Sequence, residues 1–241
     1  MPFGSVPSHA HDGALLTLVL DGSFVERVGG HADALESGKV VFHPAGESHA
    51  NQFNGGGARC FNVQFGDEWL ARAAEGGVAT GNRVMSSEPA ASGRALALWR
   101  EIASGEALAL ELEGLASLLL AAVLPGARPL STRTPAWLPR AIEQLRASVA
   151  SPPSTSVLAA EAVVHPVYFS RAFRAAAGCT PGEYVRRCRI EWACARLRAT
   201  RSPLSHIAQS AGFADQSHFT RTFRRIVGVT PGAYRKAVGQ G

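Results

Sequence analysis

Ser205–Tyr234 reads SHIAQSAGFADQSHFTRTFRRIVGVTPGAY, and the rest of the chain is best understood outward from it. Ile207, Ala208 and Ala211 mark the inner face of a short helix. Gly212 suits the turn that ends it, and Asp215 can cap the next helix by accepting a backbone N–H. Phe219, Phe223 and Ile226 recur at helical spacing and are expected to face inward. Gly228 stops that helix, and Thr230-Pro231 opens another as cap and first-turn proline. Between the phenylalanines stand Ser217, Thr220, Arg221 and Arg224, all polar. This is the pattern of a helix-turn-helix whose second helix suits a DNA major groove.

The stretch occurs twice. Leu158, Ala159 and Ala162 match Ile207, Ala208 and Ala211 at an offset of 49. Phe169, Arg171, Phe173 and Arg174 match Phe219, Arg221, Phe223 and Arg224 at an offset of 50, as do Gly178, Thr180, Pro181, Gly182 and Tyr184 their counterparts. The extra residue falls in the second turn, where an insertion costs little. Between the copies Pro181–Ala199 reads as one helix of roughly 28 Å, a length that can hold two recognition helices about 34 Å apart, one turn of B-DNA. Trp137–Val149 is expected to be the opening helix of the first copy. The phenylalanines, spaced i, i+4, are core residues and not base-stacking platforms.

From these strings the region from Thr134 to Lys236 resembles the DNA-binding domain of the arabinose-regulator (AraC/XylS) family. The resemblance implies a transcription regulator, in most members an activator, which would also touch RNA polymerase. Arg171 and Arg221 are candidates for guanine contact, and Val167, Ser170, Gln216, Ser217 and Thr220 for base edges. Arg174 and Arg224 are candidates for phosphates. The first copy departs from the second: His165, a poorer cap, stands at the head of its recognition helix, and Val167 occupies a groove position that is polar in the other copy.

Ahead of this region the pattern changes. From Ala14 to Phe65 short apolar runs broken by glycine (LLTLVLDG, SFVERVGG, KVVFHPAG, RCFNVQFG) predict a small antiparallel barrel or sandwich. Gly38, Pro44, Gly46 and His49 are spaced like the second motif of the cupin barrels, and His9-x-His11 stands where the first motif has its histidine pair. Leu15 occupies the position of that motif's glutamate. His9, His11 and His49 are candidate ligands for zinc or iron, with Cys60 as a soft addition. Many arabinose-regulator relatives carry such a barrel as the sensor of a small-molecule effector.

Residues 67–124 read as helical. Leu96, Trp99 and Ile102 are in step on one helix, and Leu108, Leu112, Leu115, Leu119 and Ala122 form a stripe on the next; such a stripe is most often ordinary core, and the helix pair within residues 94–124 is also a candidate homodimer surface. The expected architecture is α+β: a cupin-like sensor and dimerisation domain over 1–124 (barrel about 1–66, helices about 67–124), a proline-rich linker over 125–133, and a double helix-turn-helix domain over 134–241.

Charge follows the same division. Of 24 Lys/Arg and 19 Asp/Glu, residues 133–241 hold 16 and 5, a net +11, leaving −6 for residues 1–132. A basic half beside an acidic half points to a polyanion such as double-stranded DNA as partner of one half. No apolar run reaches the ~20 residues of a membrane span, and no basic start with an apolar core marks a signal peptide, so a cytoplasmic protein is expected. Four scattered cysteines without a CxxC pair are expected as free thiols. The C-terminal half carries no nucleophile–base signature or phosphate-binding glycine loop, so a non-enzyme is expected. A cupin enzyme fused to a DNA-binding module is the alternative.

Overall fold

The computed structural model describes residues 4–75, 77–105, 107–126 and 133–238. Most of the expected 125–133 linker therefore lies outside the described residues. Strands β1 (Ser5–His9), β2 (Ala14–Val28), β3 (His31–Glu36), β4 (Val40–His43) and β5 (His49–Phe65) are followed by helix α1 (Asp67–Glu75). The chain then returns to the sheet as β6 (Val84–Ser86), a strand within residues 67–124, whose pattern reads as helical. Helices α2 (Pro89–Ser104) and α3 (Ala109–Val123) complete the N-terminal part. Beyond the linker come α4 (Leu138–Ala147), α5 (Thr155–Glu161), α6 (Pro166–Ala177), α7 (Pro181–Ala199), α8 (Leu204–Ser210), α9 (Gln216–Val227) and α10 (Pro231–Val238). The α+β expectation holds.

All strand pairings are antiparallel, in the order β1-β5-β2-β4-β6, with β3 on the far half of β2. The long strands β2 and β5 pair along their whole length, from Ala14↔Phe65 to Val28↔His49, with bulges around Asp21 and Gly22. A bulge bends and twists its strand. Gly22 (φ 77°) is required there, because a Cβ would lie 2.2 Å from the Gly57 carbonyl oxygen. Alternation along the strands gives the sheet two apolar faces. Leu16, Leu18, Val40 and Phe42 pack outward with Ala91, Ala95, Leu98, Leu115 and Leu119 of α2 and α3. Val19, Phe24, Leu35 and Val41 form a second cluster with Phe53 and Cys60.

Each helix-turn-helix lobe has its own core. Leu145, Leu158, Phe169, Phe173 and Val185 fill the first, and Ile190, Leu197, Ile207, Phe219 and Phe223 the second. The expected inward Ile226 is instead 43% exposed, and Val227 packs in its place. The stripe therefore continues from Phe219 and Phe223 by another four residues instead of three. Helix α7 spans the predicted 19 residues and opens on a complete capping box between Thr180 and Glu183.

Two helical faces differ from expectation. In α2 the buried face is Ala91, Ala95 and Leu98, while Ile102 is 47% exposed. Two of the three are alanines, which a search for large apolar residues at helical spacing passes over. Helix α3 is buried almost all round, with Leu110, Glu111, Gly114, Ser117, Leu118 and Leu120 inside as well as Leu115 and Leu119. Its stripe therefore packs as core between the sheet and the first lobe, with Leu115 and Leu119 buried and Leu108, Leu112 and Ala122 half-buried. No described helix is long and apolar enough to cross a membrane.

Candidate DNA interface and sensor site

Helix α9 presents the better-formed recognition surface. The Asp215 carboxylate accepts the His218 N–H at 2.7 Å, which fixes the start of the helix and holds the Asp215 pKa below its ordinary value. Gln216, Ser217, Arg221 and Arg224 are exposed and Thr220 is half-buried, so one polar face looks outward. His218 points the other way, buried and edge-on to Phe213 at 5.1 Å. Gly212, at φ 82°, makes the turn before this helix, and its missing Cβ leaves room for the Ala150 carbonyl at 2.4 Å from where that Cβ would lie.

The equivalent face of α6 is covered. Val167 is 2% exposed and belongs to the outer sheet core with Leu115, Leu119 and Leu120, and Ser170 is fully buried. Arg171 is half-buried and Arg174 is exposed, 3.7 Å from Glu183. Both lie near Arg94, whose pKa falls below the ordinary arginine value through burial and then through these two positive charges. His165 caps α6 after all: its Nδ1 accepts the Val167 N–H at 3.1 Å. Its ring lies with Trp69 and Arg72 of α1 and with Ser156, Pro166 and Val167 around a shallow crevice. In place of Gly212 this lobe has Val163, a β-branched residue at φ 54° and 90% exposed.

Several arginines are structural. Arg189 donates to the Val149 and Ala150 carbonyls at 2.8 and 3.0 Å, and burial together with the nearby Arg186 charge brings its pKa down to about 10. Arg186 pairs with Glu101 at 3.0 Å and with the buried Glu111. Glu111 belongs to α3, so this ion cluster joins the sensor domain to α7.

The sheet holds a second polar centre. His9, His11 and His49 present ring nitrogens within 4.8 Å of one another. The Nδ1 atoms of His9 and His49 face the carbonyls of Pro7 and Glu47 at 2.9 and 3.2 Å, so each can donate backward and leave Nε2 available. Beside His49 runs a network that periodicity did not single out. His43 contacts Glu26 at 3.3 Å through Nε2 and Glu47 at 2.8 Å through Nδ1. Arg83 reaches Glu26 at 2.7 Å and Asp33 at 2.8 Å. Burial opposes charge on His43, yet the hydrogen bonds and charges of Glu26 and Glu47 outweigh it and raise its pKa. His49, stacked on His43 at 4.5 Å, is lowered by burial and then by the positive His43. Both His43 nitrogens lie against carboxylates, so it serves as an ion-pair partner, and Glu26, His43 and His49 also form a cluster whose atoms could hold a metal. Cys60 packs in the apolar cluster and, among the described residues, joins neither group. Glu26 supplies the buried carboxylate that Leu15 does not. Only the register of β2 against β3 and β5, opposite Asp33 and Asn51, brings it there, and alternation in Phe24-x-Glu26-x-Val28 is its one sequence signal.

Residues 158–237 match the family model described as a helix-turn-helix domain, and residues 4–120 match that of the AraC-like ligand binding domain. No curated protein matches the chain. Among solved structures, a transcriptional regulator of the AraC-type DNA-binding group from Chromobacterium violaceum is 27% identical over 43% of this chain and 93% of its own, with a TM-score of 0.41. The C-terminal domain of AraT, a response regulator from Geobacillus stearothermophilus, is 27% identical over 44% and 88%, also at 0.41. ToxT from Vibrio cholerae O395 is 9% identical over 99% and 95%, at 0.40.

Proposed function

Because the chain belongs to the AraC family of DNA-binding transcription regulators, with an AraC-like ligand-binding domain ahead of its helix-turn-helix domain, we propose that it is a sequence-specific regulator, acting as an activator, whose sheet domain binds a small-molecule effector. The observation that carries the reading is the outward polar face of α9, with Gln216, Ser217, Arg221 and Arg224 exposed on a helix anchored by Asp215. Phosphate contacts from Arg224 would position the lobe, and Arg221 with the N-terminal residues of α9 would read bases. An activator would also touch RNA polymerase. The part of residues 94–124 still open to a second copy is the outer side of α2 around Ile102.

Selection of duplexes from a random-sequence pool, followed by gel-shift titration, tests this. The selected duplex is expected to bind at least a thousandfold more tightly than random duplex at physiological salt. Equal affinity for both would sink sequence-specific regulation.

A second reading makes the sheet domain a metal sensor. It is favoured by the backward-held Nδ1 atoms of His9 and His49, which leave Nε2 atoms converging with His11. Three imidazoles would suit zinc or ferrous iron with a position left open, which is also what the cupin-enzyme alternative requires. Equilibrium dialysis against Zn²⁺ should then give one ion per chain, reduced at least tenfold in affinity by His49→Ala. Binding unchanged by that substitution would remove the metal reading.

A further inference from the structure

The internal repeat supplies its own control for the covered face of α6. Val167, Ser170, Arg171 and Arg174 correspond to Ser217, Thr220, Arg221 and Arg224, yet Val167 and Ser170 are buried while Ser217 is exposed. The difference does not come from within the lobe, since both lobes bury the same two phenylalanines. It comes from the sensor domain. Helix α3 packs along α6, and α1 closes over its N-terminus at Val167.

Further contacts hold the lobe there. The Thr155 N–H donates to Glu113 at 2.8 Å, so a sensor carboxylate takes up one amide at the start of α5. Gly182 lies so close to Glu111 that a Cβ would meet the Glu111 Cβ at 2.5 Å. Arg186 binds Glu101 and Glu111. A helix with its side chains is ~10 Å across, so α3 and a DNA backbone cannot occupy the α6 face together.

We propose that this face has two mutually exclusive partners, the sensor helix α3 and duplex DNA, and that the described structure is the state in which the sensor domain masks the first lobe. The proposal rests on the DNA-binding reading above. It also accounts for Val167: an apolar residue at a groove position is suited to packing on α3, where serine serves the open second lobe. The two lobes thus play different parts. The second can engage DNA as it stands, and the first does so only after α3 has released it.

A reversible lock tests this in the full chain. A Cβ at position 114 would lie 4.0 Å from the Thr180 Cβ, within disulfide range, so Gly114→Cys with Thr180→Cys would tie α3 to the start of α7. Cys179→Ala in the same chain removes the neighbouring thiol. Binding to a mixed-sequence duplex would be followed against salt concentration in the oxidised and reduced forms. Oxidation should lower affinity at least tenfold and reduce the slope of log K against log salt by about 2, the share of Arg171 and Arg174. Reduction should restore both.

Equal affinity and slope in the two forms would overturn masking while leaving DNA binding intact. Failure of both forms to bind would instead overturn the DNA-binding reading, and masking with it. Hydrogen exchange on the unsubstituted chain gives a second measurement. Saturating duplex should speed exchange in α1 and α3 as they lose α6, and exchange unchanged or slowed there counts against the proposal.

Discussion

At the scale of single residues, Arg221 and Arg224 are one helical turn apart on α9, both exposed, and chemistry assigns them different work. Arg221 is closer to the N-terminus of the helix, the end that reaches base edges first. A guanidinium held bidentate to guanine is worth about 1–3 kcal/mol of discrimination. Arg221→Ala should therefore relax the selected sequence at one base position and bring selected and random duplexes about tenfold or more closer in affinity. Arg224→Ala should weaken both duplexes alike and lower the salt slope by about 1. Repeating the duplex selection with each variant separates the two. A uniform loss from Arg221→Ala would reassign that side chain to phosphate.

At the scale of elements, legibility tracked how local the determining chemistry is. Asp215, Gly212, Thr180 and Pro181 act within a turn of themselves, and α7, α9 and their caps appear where their spelling placed them. Helix α3 is the opposite case. Its leucine stripe correctly announced a buried helix, but periodicity cannot say against what, and the helix is enclosed by the sheet on one side and the first lobe on the other. Glu111, Glu113 and Gly114, which stand between the leucines, form the docking surface for α5 and α7. In the same way β6 is three residues long, too short to show an alternation, and exists through its pairing with β4. The sensor site was half legible. His9, His11 and His49 carry motif spacing, whereas Glu26, His43, Glu47 and Arg83 meet only through strand register and a loop crossing. Val167 reads as a base-edge candidate from its place in the repeat, and the sequence of one lobe does not contain the domain that covers it.

At the scale of the whole molecule, docking of sensor domain on first lobe runs through a buried carboxylate, so it should depend on pH. Glu111 is 1% exposed, and burial carries its pKa up from 4.5 to about 7. The charges facing it are Arg186 and Glu183 on α7, Glu101 on α2 and, beyond them, Arg225 on α9, with Arg186 lowering the pKa and the two glutamates raising it. The folded, docked chain therefore holds the proton more tightly than the unfolded chain does. Stability from this group is complete below about pH 4.5, falls as pH rises through about 7, and is level above that. A shift of this size corresponds to a loss on the order of 3 kcal/mol over the window. Groups such as Glu26, whose pKa is lowered, contribute with the opposite sign, so the measurement must isolate Glu111. Glu111→Gln keeps an amide of the same shape beside Arg186 and removes the titration. Urea unfolding of both chains at half-unit steps from pH 5 to 8 should show the parent losing stability relative to the Gln variant as pH rises, with the difference levelling off above pH 7.5. Parallel curves across that range would mean that Glu111 ionises in the docked state as readily as in the unfolded chain. The buried Arg186 contact would then be an ion pair throughout, with no proton held at the junction of the two domains.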